Sequence, residues 1–374
     1  FDKREAASTR LFDLGRYALP QLREATLSDI EADLRAREII RRVEQSIYSA
    51  ASRALLLNEA TSDLELLPGW NYFSNLTGST RSSKLIYAEM LREQPEFTKE
   101  IELHSQGSLA GGEEAIRSRV EELANTLLAQ RFVQLEDPEL GDIATILVAV
   151  SMLEGQSPVT VNKFIRHSCF SPPLQTHMSR RGFGPVLRKL VSAWLPKVHA
   201  EIAFDAFFIA LRDQHPTGAD LARRFLQNNL DTRTLESGIQ CLGIFGEESD
   251  LPRLFALLEN DQICAQFDLS KRPRFPPMGY EERDESPPGA PEKGMTEPEP
   301  LRYQYRVQDL ALAACMMVMK EDLRQAFPQA TMDERFGIDL RSIAFLNAEE
   351  AEEKRKATLR EWKEKIRLRI AEKQ

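Results

Sequence analysis

The sequence predicts an all-α protein, built as an imperfect α-solenoid of stacked helical hairpins with a Pro-rich loop and a C-terminal amphipathic helix. Two observations support this fold class. Apolar residues recur every three or four positions through most of the chain, which is the spacing of one helix face. A unit of helix, turn and helix opens the chain over Asp2 to Val43, and a similar unit follows over Asp231 to Leu258.

The opening unit contains the residue types that end and begin helices. Gly15 closes the first helix, because glycine adopts the left-handed conformation at little cost. Pro20 suits the first turn of the next helix, where its missing N–H costs no hydrogen bond. Ser28 and Glu31 have the spacing of a capping box and predict the start of a long third helix.

An aromatic cluster follows the turn at Pro68-Gly69. Trp70, Tyr72 and Phe73 lie within four positions of one another, ahead of a helix around Ser83 to Glu93. One interpretation is a recognition site. The other, which we favour, is a plug that buries the corner between two helices, because large aromatic side chains dominate such packing.

The middle of the chain is predicted to be helical but irregular. The run from Ile143 to Leu153 is apolar on all sides, which is typical of a helix that lies inside the protein. It is too short for a membrane span, which needs about 20 residues. Further helices are expected at 113–131, 159–167, 186–194, 197–213 and 221–230.

A basic cluster surrounds Gly182 in this middle region. Arg180, Arg181, Arg188 and Lys189 provide cations that suit a phosphate or an acidic segment of a partner. The alternative, which we favour on sequence alone, is a solvated helix edge.

The second hairpin unit is followed by residues 271–300, which hold 8 of the 20 prolines together with many acidic residues. Such a composition cannot bury enough apolar surface to offset the entropy of ordering, so a disordered or extended loop is expected. A helix resumes at Arg306. In the tail, Leu359, Trp362 and Ile366 recur at helical spacing and predict an amphipathic helix that docks back onto the protein or binds a partner, docking back being favoured.

The sequence pattern of the hairpins resembles that of the HEAT-like repeat family. The residues with this resemblance are Ala6-Ala7, Leu14-Gly15 and Ala18-Leu19-Pro20 in the first copy, and Leu242-Gly243 and Leu251-Pro252 in the second. More broadly, the chain is similar to uncharacterised bacterial proteins of this kind, many of which are exported. The resemblance covers about a third of the chain and implies an extended binding surface with a scaffold or adaptor role.

Four regions are expected from these patterns. They are N-terminal HEAT-like helices at 1–60, an irregular helical middle at 61–230, C-terminal HEAT-like helices at 231–330 interrupted by the loop 271–300, and a charged tail helix at 331–374.

Composition and charge limit the classes of function. The net charge of −9 disfavours nucleic acid, since phosphate binding requires a basic footprint. The 4 cysteines form no CxxC pair, so a disulfide framework or cysteine zinc site is not expected. The chain begins with Phe1 rather than Met, which indicates a processed or trimmed start. An exported or periplasmic location is therefore favoured over a cytoplasmic one, with no membrane span.

No residue pattern of a known catalytic class is present. The sequence lacks HExxH, GxSxG and Walker motifs. The local group of His167, Cys169 and His177 has too few ligands for a closed zinc site. We therefore expect neither a catalytic residue nor a cofactor nor a metal.

The expected function is a non-enzymatic protein–protein interaction scaffold or adaptor, within a larger bacterial assembly and with a protein partner. Two alternatives stay open: a structural subunit of an envelope complex, and an enzyme on a HEAT-like scaffold. The candidate partner-binding residues are Trp70, Tyr72, Phe73, Arg180, Arg181, Arg188, Trp362 and Ile366.

Overall fold

The computed structural model describes most of the chain. The described residues are 2–25, 29–57, 67–134, 137–226, 230–268, 302–333 and 336–373. The predicted Pro-rich loop at 271–300 lies outside them, as does the predicted capping residue Ser28.

The described chain is mostly helical, with 17 α-helices and a few short strands, which confirms the all-α character of the prediction. It forms two compact units, Phe1–Ile202 and Ala203–Gln374. The four sequence regions proposed above stay a prediction.

Unit 1 contains eleven helices within its described residues. They are α1 Asp2–Leu14, α2 Leu19–Glu24, α3 Ile30–Leu57, α4 Trp70–Thr77, α5 Arg81–Glu93, α6 Pro95–Ser105, α7 Gly112–Gln134, α8 Leu140–Met152, α9 Val159–Phe170, α10 Pro172–Ser179 and α11 Phe183–Trp194.

The opening helices follow the local signals in the sequence. Gly15 ends α1 with a φ of +54°, and Pro20 lies in the first turn of α2. Leu19, Ile39 and Val43 form a small buried cluster that joins α2 to α3. Near the start of α3, the Glu31 N–H donates to Asp29 Oδ1 at 3.0 Å.

Helix α8 is the centre of unit 1. Every residue from 141 to 150 is buried, as the apolar run predicts, and α8 packs against α5, α7, α9 and α11. Gly141 permits the contact with α5, because a Cβ at this position would lie 2.4 Å from the Glu89 carbonyl oxygen.

Unit 2 contains six helices and five short strands within its described residues. They are α12 Ala203–Arg212, α13 Gly218–Phe225, α14 Thr232–Phe245, α15 Leu251–Ala256, β1 Ile263–Asp268, β2 Arg302–Arg306, α16 Val307–Val318, β3 Met332–Asp333, β4 Gly337–Ile338, β5 Phe345–Leu346 and α17 Glu349–Ala371.

The strands were not predicted from the sequence. β2 lies between β1 and β5 in an antiparallel sheet, with Asp268 opposite Arg302 and Tyr303 opposite Leu346. β3 and β4 form a separate antiparallel pair. These strands are two to six residues long, so each offers too little alternation to be recognised.

One helix prediction differs from the structure in detail, and two helices were not predicted. The expected helix at 197–213 is divided, with 3₁₀ turns at Leu195–Lys197 and Ala200–Ile202 before α12 begins. Helices α6 and α10 were missed, although each begins at a proline that suits a first helical turn.

Candidate functional site

The aromatic cluster at Trp70 reaches the core of unit 1 through Phe73, while Trp70 and Tyr72 are half-buried. Phe73 and Tyr87 are 0% exposed, and the Trp70 ring lies 5.1 Å from that of Tyr87 in an edge-on arrangement. The Tyr87 hydroxyl donates to the Pro68 carbonyl at 2.7 Å. These contacts tie the Pro68-Gly69 turn to α5 and favour the plug interpretation over a recognition site.

Tyr72 is half-buried on the opposite side of this corner. Its hydroxyl lies 3.0 Å from Ser151 Oγ, at the end of α8. The Gly69 N–H donates to Glu102 Oε2 at 2.7 Å, with Gly69 at a φ of +75°. These two polar groups of the corner are therefore occupied by neighbours in the same unit.

The tail residues Trp362 and Ile366 are also buried. They are 2% and 0% exposed, on the side of α17 that packs against α15, α16 and β5 of unit 2. In this arrangement neither side chain is accessible to a partner. The structure thus places α17 against these elements of unit 2, and binding of a partner by the tail stays a prediction.

Ion pairs fix α17 at both ends. Near its start, Arg355 lies 3.3 Å from Asp309 Oδ1 and donates to the Gln304 carbonyl at 3.0 Å. Near its end, Arg369 and Lys373 lie 2.7 and 3.0 Å from the carboxylate of Glu248, and these two cations lower the pKa of Glu248.

The predicted arginines lie in the first half of α11 and on the turn before it, and α11 packs against α4 and α5 in unit 1. The turn that carries Arg180 and Arg181 lies close to the first turn of α5. A Cβ atom built at Gly182 would lie only 2.6 Å from Ser82 Oγ. Lys189 Nζ donates to the Thr77 carbonyl at 2.8 Å, at the end of α4. We define the basic surface as Arg81, Arg180, Arg181, Arg188 and Lys189.

Gly184 allows this turn to form. A Cβ at Gly184 would lie 2.2 Å from the Met178 carbonyl oxygen, so only glycine permits α10 and α11 to approach this closely. Burial and the neighbouring Arg180 charge both lower the pKa of His177, on α10. His177 is therefore neutral at pH 7 and leaves the positive charge to the arginines.

The basic surface lies on two stretches of sequence that contain no acidic residues. No Asp or Glu occurs between Glu154 and Glu201, although that segment holds seven Lys and Arg residues in a chain of net charge −9. Residues 67–88, which include α4 and the first half of α5, also lack Asp and Glu. Packing of α11 against α4 and α5 brings these two segments together.

Within the described residues, no carboxylate forms an ion pair with Arg81, Arg180, Arg181 or Arg188. Elsewhere most arginine side chains are paired, for example Arg223 with Asp250 at 2.8 Å. The start of α5 adds the positive end of a helix dipole beside Arg81. Together these groups provide a surface suited to carboxylates or phosphates.

The other residues considered for catalysis or metal binding do not form a common site within the described part of the chain. Cys169 is fully buried, and the His167 ring packs edge-on against Phe132 at 5.9 Å. Within the described ranges, no group of three His, Cys, Asp or Glu side chains is placed to hold a metal ion. In the same part of the chain, no helix has both the length and the apolar character to cross a membrane.

No family model matches the chain, and no match is found among curated proteins or solved structures. The resemblance to HEAT-like repeats therefore stays a prediction from the quoted residues.

One signal in the sequence marks the basic surface better than the local cluster does. Four basic residues around Gly182 are not unusual in a soluble protein. Their position inside a long segment without Asp or Glu is informative, because a solvated helix edge normally mixes both signs of charge. Arg81 belongs to the surface only through the fold.

Proposed function

We propose that the chain is a non-enzymatic interaction scaffold that binds an acidic segment of a partner protein at the basic surface. The observation that supports this proposal is a group of arginines on unit 1 that form no ion pair with any carboxylate of the described residues, in an otherwise acidic chain. A protein with a net charge of −9 repels most acidic partners, so a local surface of opposite sign directs such a partner to one place.

The scaffold part of the proposal rests on the helical hairpins. α1 ends before Gly15 and Pro20 lies in the first turn of α2, and in unit 2 α14 ends before Gly246 while Pro252 lies in the first turn of α15. The same local features thus occur in both units. We propose on this basis that the hairpins are HEAT-like repeats of an imperfect α-solenoid, a fold class that presents extended binding surfaces.

A protein segment is favoured over nucleic acid as the partner. Nucleic-acid binders neutralise many phosphates along an extended basic footprint. Here four unpaired arginines and Lys189 form a single short cluster, and the remainder of the chain carries excess negative charge. A short run of carboxylates matches this number of cations.

The test uses the full chain and a fluorescein-labelled peptide of about 12 glutamates, with binding followed by fluorescence anisotropy. The double variant Arg180→Glu/Arg181→Glu is expected to weaken binding by at least about tenfold, since two charge-assisted contacts become repulsive. The matched control is Arg360→Glu/Arg367→Glu on the exposed side of α17, which changes the net charge equally and is expected to keep the wild-type affinity.

Two results would overturn the proposal. One is equal loss of affinity in both double variants, which would show that only the net charge matters. The other is tighter binding of a single-stranded DNA of the same length, with a steep dependence on salt between about 50 and about 200 mM.

A further inference from the structure

Unit 1 contains a cavity that plays no part in the function proposed above. It lies where α3 faces the corner between α5 and α6, and its volume is about 570 Å³. Tyr48, Leu56, Ala88, Leu91 and Pro95 supply its apolar lining. A volume of this size falls within the range of about 300 to 1,000 Å³ that is usual for small-molecule sites.

The inner wall of the cavity carries a buried carboxylate whose charge is already balanced. Glu44 is 5% exposed, and its oxygens accept from Arg23 at 2.5 Å and from Lys99. Lys99 also lies 3.0 Å from Glu96. Because these four groups neutralise one another, the wall offers no free negative charge to attract a cationic ligand.

The rim of the cavity leaves one charge unbalanced. Arg41 pairs with Glu38 at 2.8 Å, and Arg92 pairs with Glu93 at 2.6 Å. Arg53 also lines the cavity, and none of the carboxylates in the described residues forms an ion pair with it. Within the described residues, the charge available to a ligand is therefore the Arg53 guanidinium, beside the hydroxyl of Ser52 on the same helix.

We propose that this cavity binds a small amphiphilic anion. Its apolar body lies against Leu56, Ala88 and Leu91, and its carboxylate, sulfonate or similar group accepts hydrogen bonds from Arg53. A guanidinium suits this role because it forms paired hydrogen bonds with planar or tetrahedral anions. The combination of one unpaired cation with an apolar floor excludes strongly cationic and multiply charged ligands.

The probe is 1-anilinonaphthalene-8-sulfonate, which has a fused aromatic body and one sulfonate. The full chain is expected to bind it with saturable fluorescence enhancement. Arg53→Gln should weaken that binding about tenfold, because it removes a hydrogen bond to a charged group. The matched control is Arg37→Gln, an exposed arginine of the same helix outside the cavity, which is expected to bind the probe like the wild type.

A second probe separates the anionic contact from the apolar one. N-phenyl-1-naphthylamine has the same aromatic body without the sulfonate, so Arg53→Gln is expected to leave its affinity unchanged. Ala88→Phe fills the cavity and is expected to abolish binding of both probes. If far-UV circular dichroism shows that Ala88→Phe fails to fold, Ser52→Phe is used in its place, because it fills the same space from α3.

The outcomes decide the proposal independently of the basic surface, because neither probe tests Arg180 or Arg181. Sulfonate binding that is unchanged by Arg53→Gln would overturn it. So would binding of either probe that survives a folded cavity-filling variant.

Discussion

The Arg355 guanidinium lies 3.3 Å from the Asp309 carboxylate, and the two side chains are 1% and 0% exposed. Asp309 also accepts a hydrogen bond from the Arg306 N–H at 2.8 Å, at the first turn of α16. This contact joins the C-terminal helix α17 to the centre of unit 2. Despite the nearby cation, burial raises the pKa of Asp309 to about 6.

The raised pKa predicts a specific dependence of stability on pH. Because the folded pKa of Asp309 exceeds its ordinary value of 3.8, the folded state binds the proton more tightly than the unfolded state does. The stabilisation is complete below about pH 4 and is lost as the pH rises through about 6. The full difference corresponds to about 3 kcal/mol.

Asp309→Asn isolates this effect, because an amide keeps the acceptor for Arg306 and cannot ionise. Urea unfolding of wild type and variant is compared at several values between about pH 4 and pH 7. As the pH rises across this range, we expect the unfolding free energy of the wild type to fall by up to about 3 kcal/mol relative to that of the variant. A difference in unfolding free energy that stays constant with pH would contradict the prediction.

Trp362 is expected to be the main apolar anchor of α17. Trp362→Ala removes a side chain that is 2% exposed and should destabilise unit 2 by about 3 to 5 kcal/mol. Leu368 lies on the same helix and is 57% exposed, so Leu368→Ala is expected to change stability by less than about 0.5 kcal/mol. Hydrogen exchange of α17 amides measures both, and equal protection in the two variants would refute the anchor role.

The two glycines beside the basic surface are expected to respond differently to alanine. Gly184→Ala places a Cβ against the Met178 carbonyl oxygen, which is backbone and cannot move aside, so we expect a loss of about 1 to 3 kcal/mol. Gly182→Ala meets only the flexible Ser82 side chain, and its cost is expected to stay below about 1 kcal/mol. Thermal unfolding of the two variants gives the comparison, and a larger effect at Gly182 would be inconsistent with this packing.

Two tyrosines of the Trp70 corner allow a matched comparison. Tyr87→Phe leaves the partly buried Pro68 carbonyl without its donor, and is expected to cost about 1 to 3 kcal/mol. Tyr72→Phe removes the half-buried contact with Ser151, whose hydroxyl also donates to Val148, and should cost less than about 1 kcal/mol. Denaturant unfolding measures both. Neither variant is expected to change binding of the acidic peptide, and a loss of that binding in Tyr72→Phe would revive the corner as a recognition site.

Local signals in the sequence were sufficient for most helices. Gly15 and Pro20 marked an end and a start that the structure contains, and the apolar run at 143–153 predicted the buried position of α8. These features depend on backbone conformation and helix periodicity, which are properties of neighbouring residues.

The sheet was not predictable in the same way. β1 and β2 are far apart in the sequence, and their stability depends on pairing with each other and with β5. Short strands without a clear alternation carry little information until their partners are known.

For the candidate site residues, too, the sequence alone provided only part of the answer. The aromatic and tail residues Phe73, Trp362 and Ile366 were recognised as important, and the structure places all three in the core of their units. Sequence alone cannot distinguish an apolar stripe that binds a partner from one that packs within the protein. The basic surface needed the fold as well, because Arg81 joins Arg180 only through the approach of Gly182 to Ser82.

The pairing of Asp268 with Arg302 has a practical consequence for engineering. Asp268 and Arg302 are the described residues on either side of 269–301, and they face each other across one ladder of the sheet. A connection between such close ends can be lengthened or shortened at low entropic cost, since loop closure varies only slowly with length. This point in the chain is therefore suited to the insertion of an affinity tag or a fluorescent reporter domain without displacement of α16 or α17.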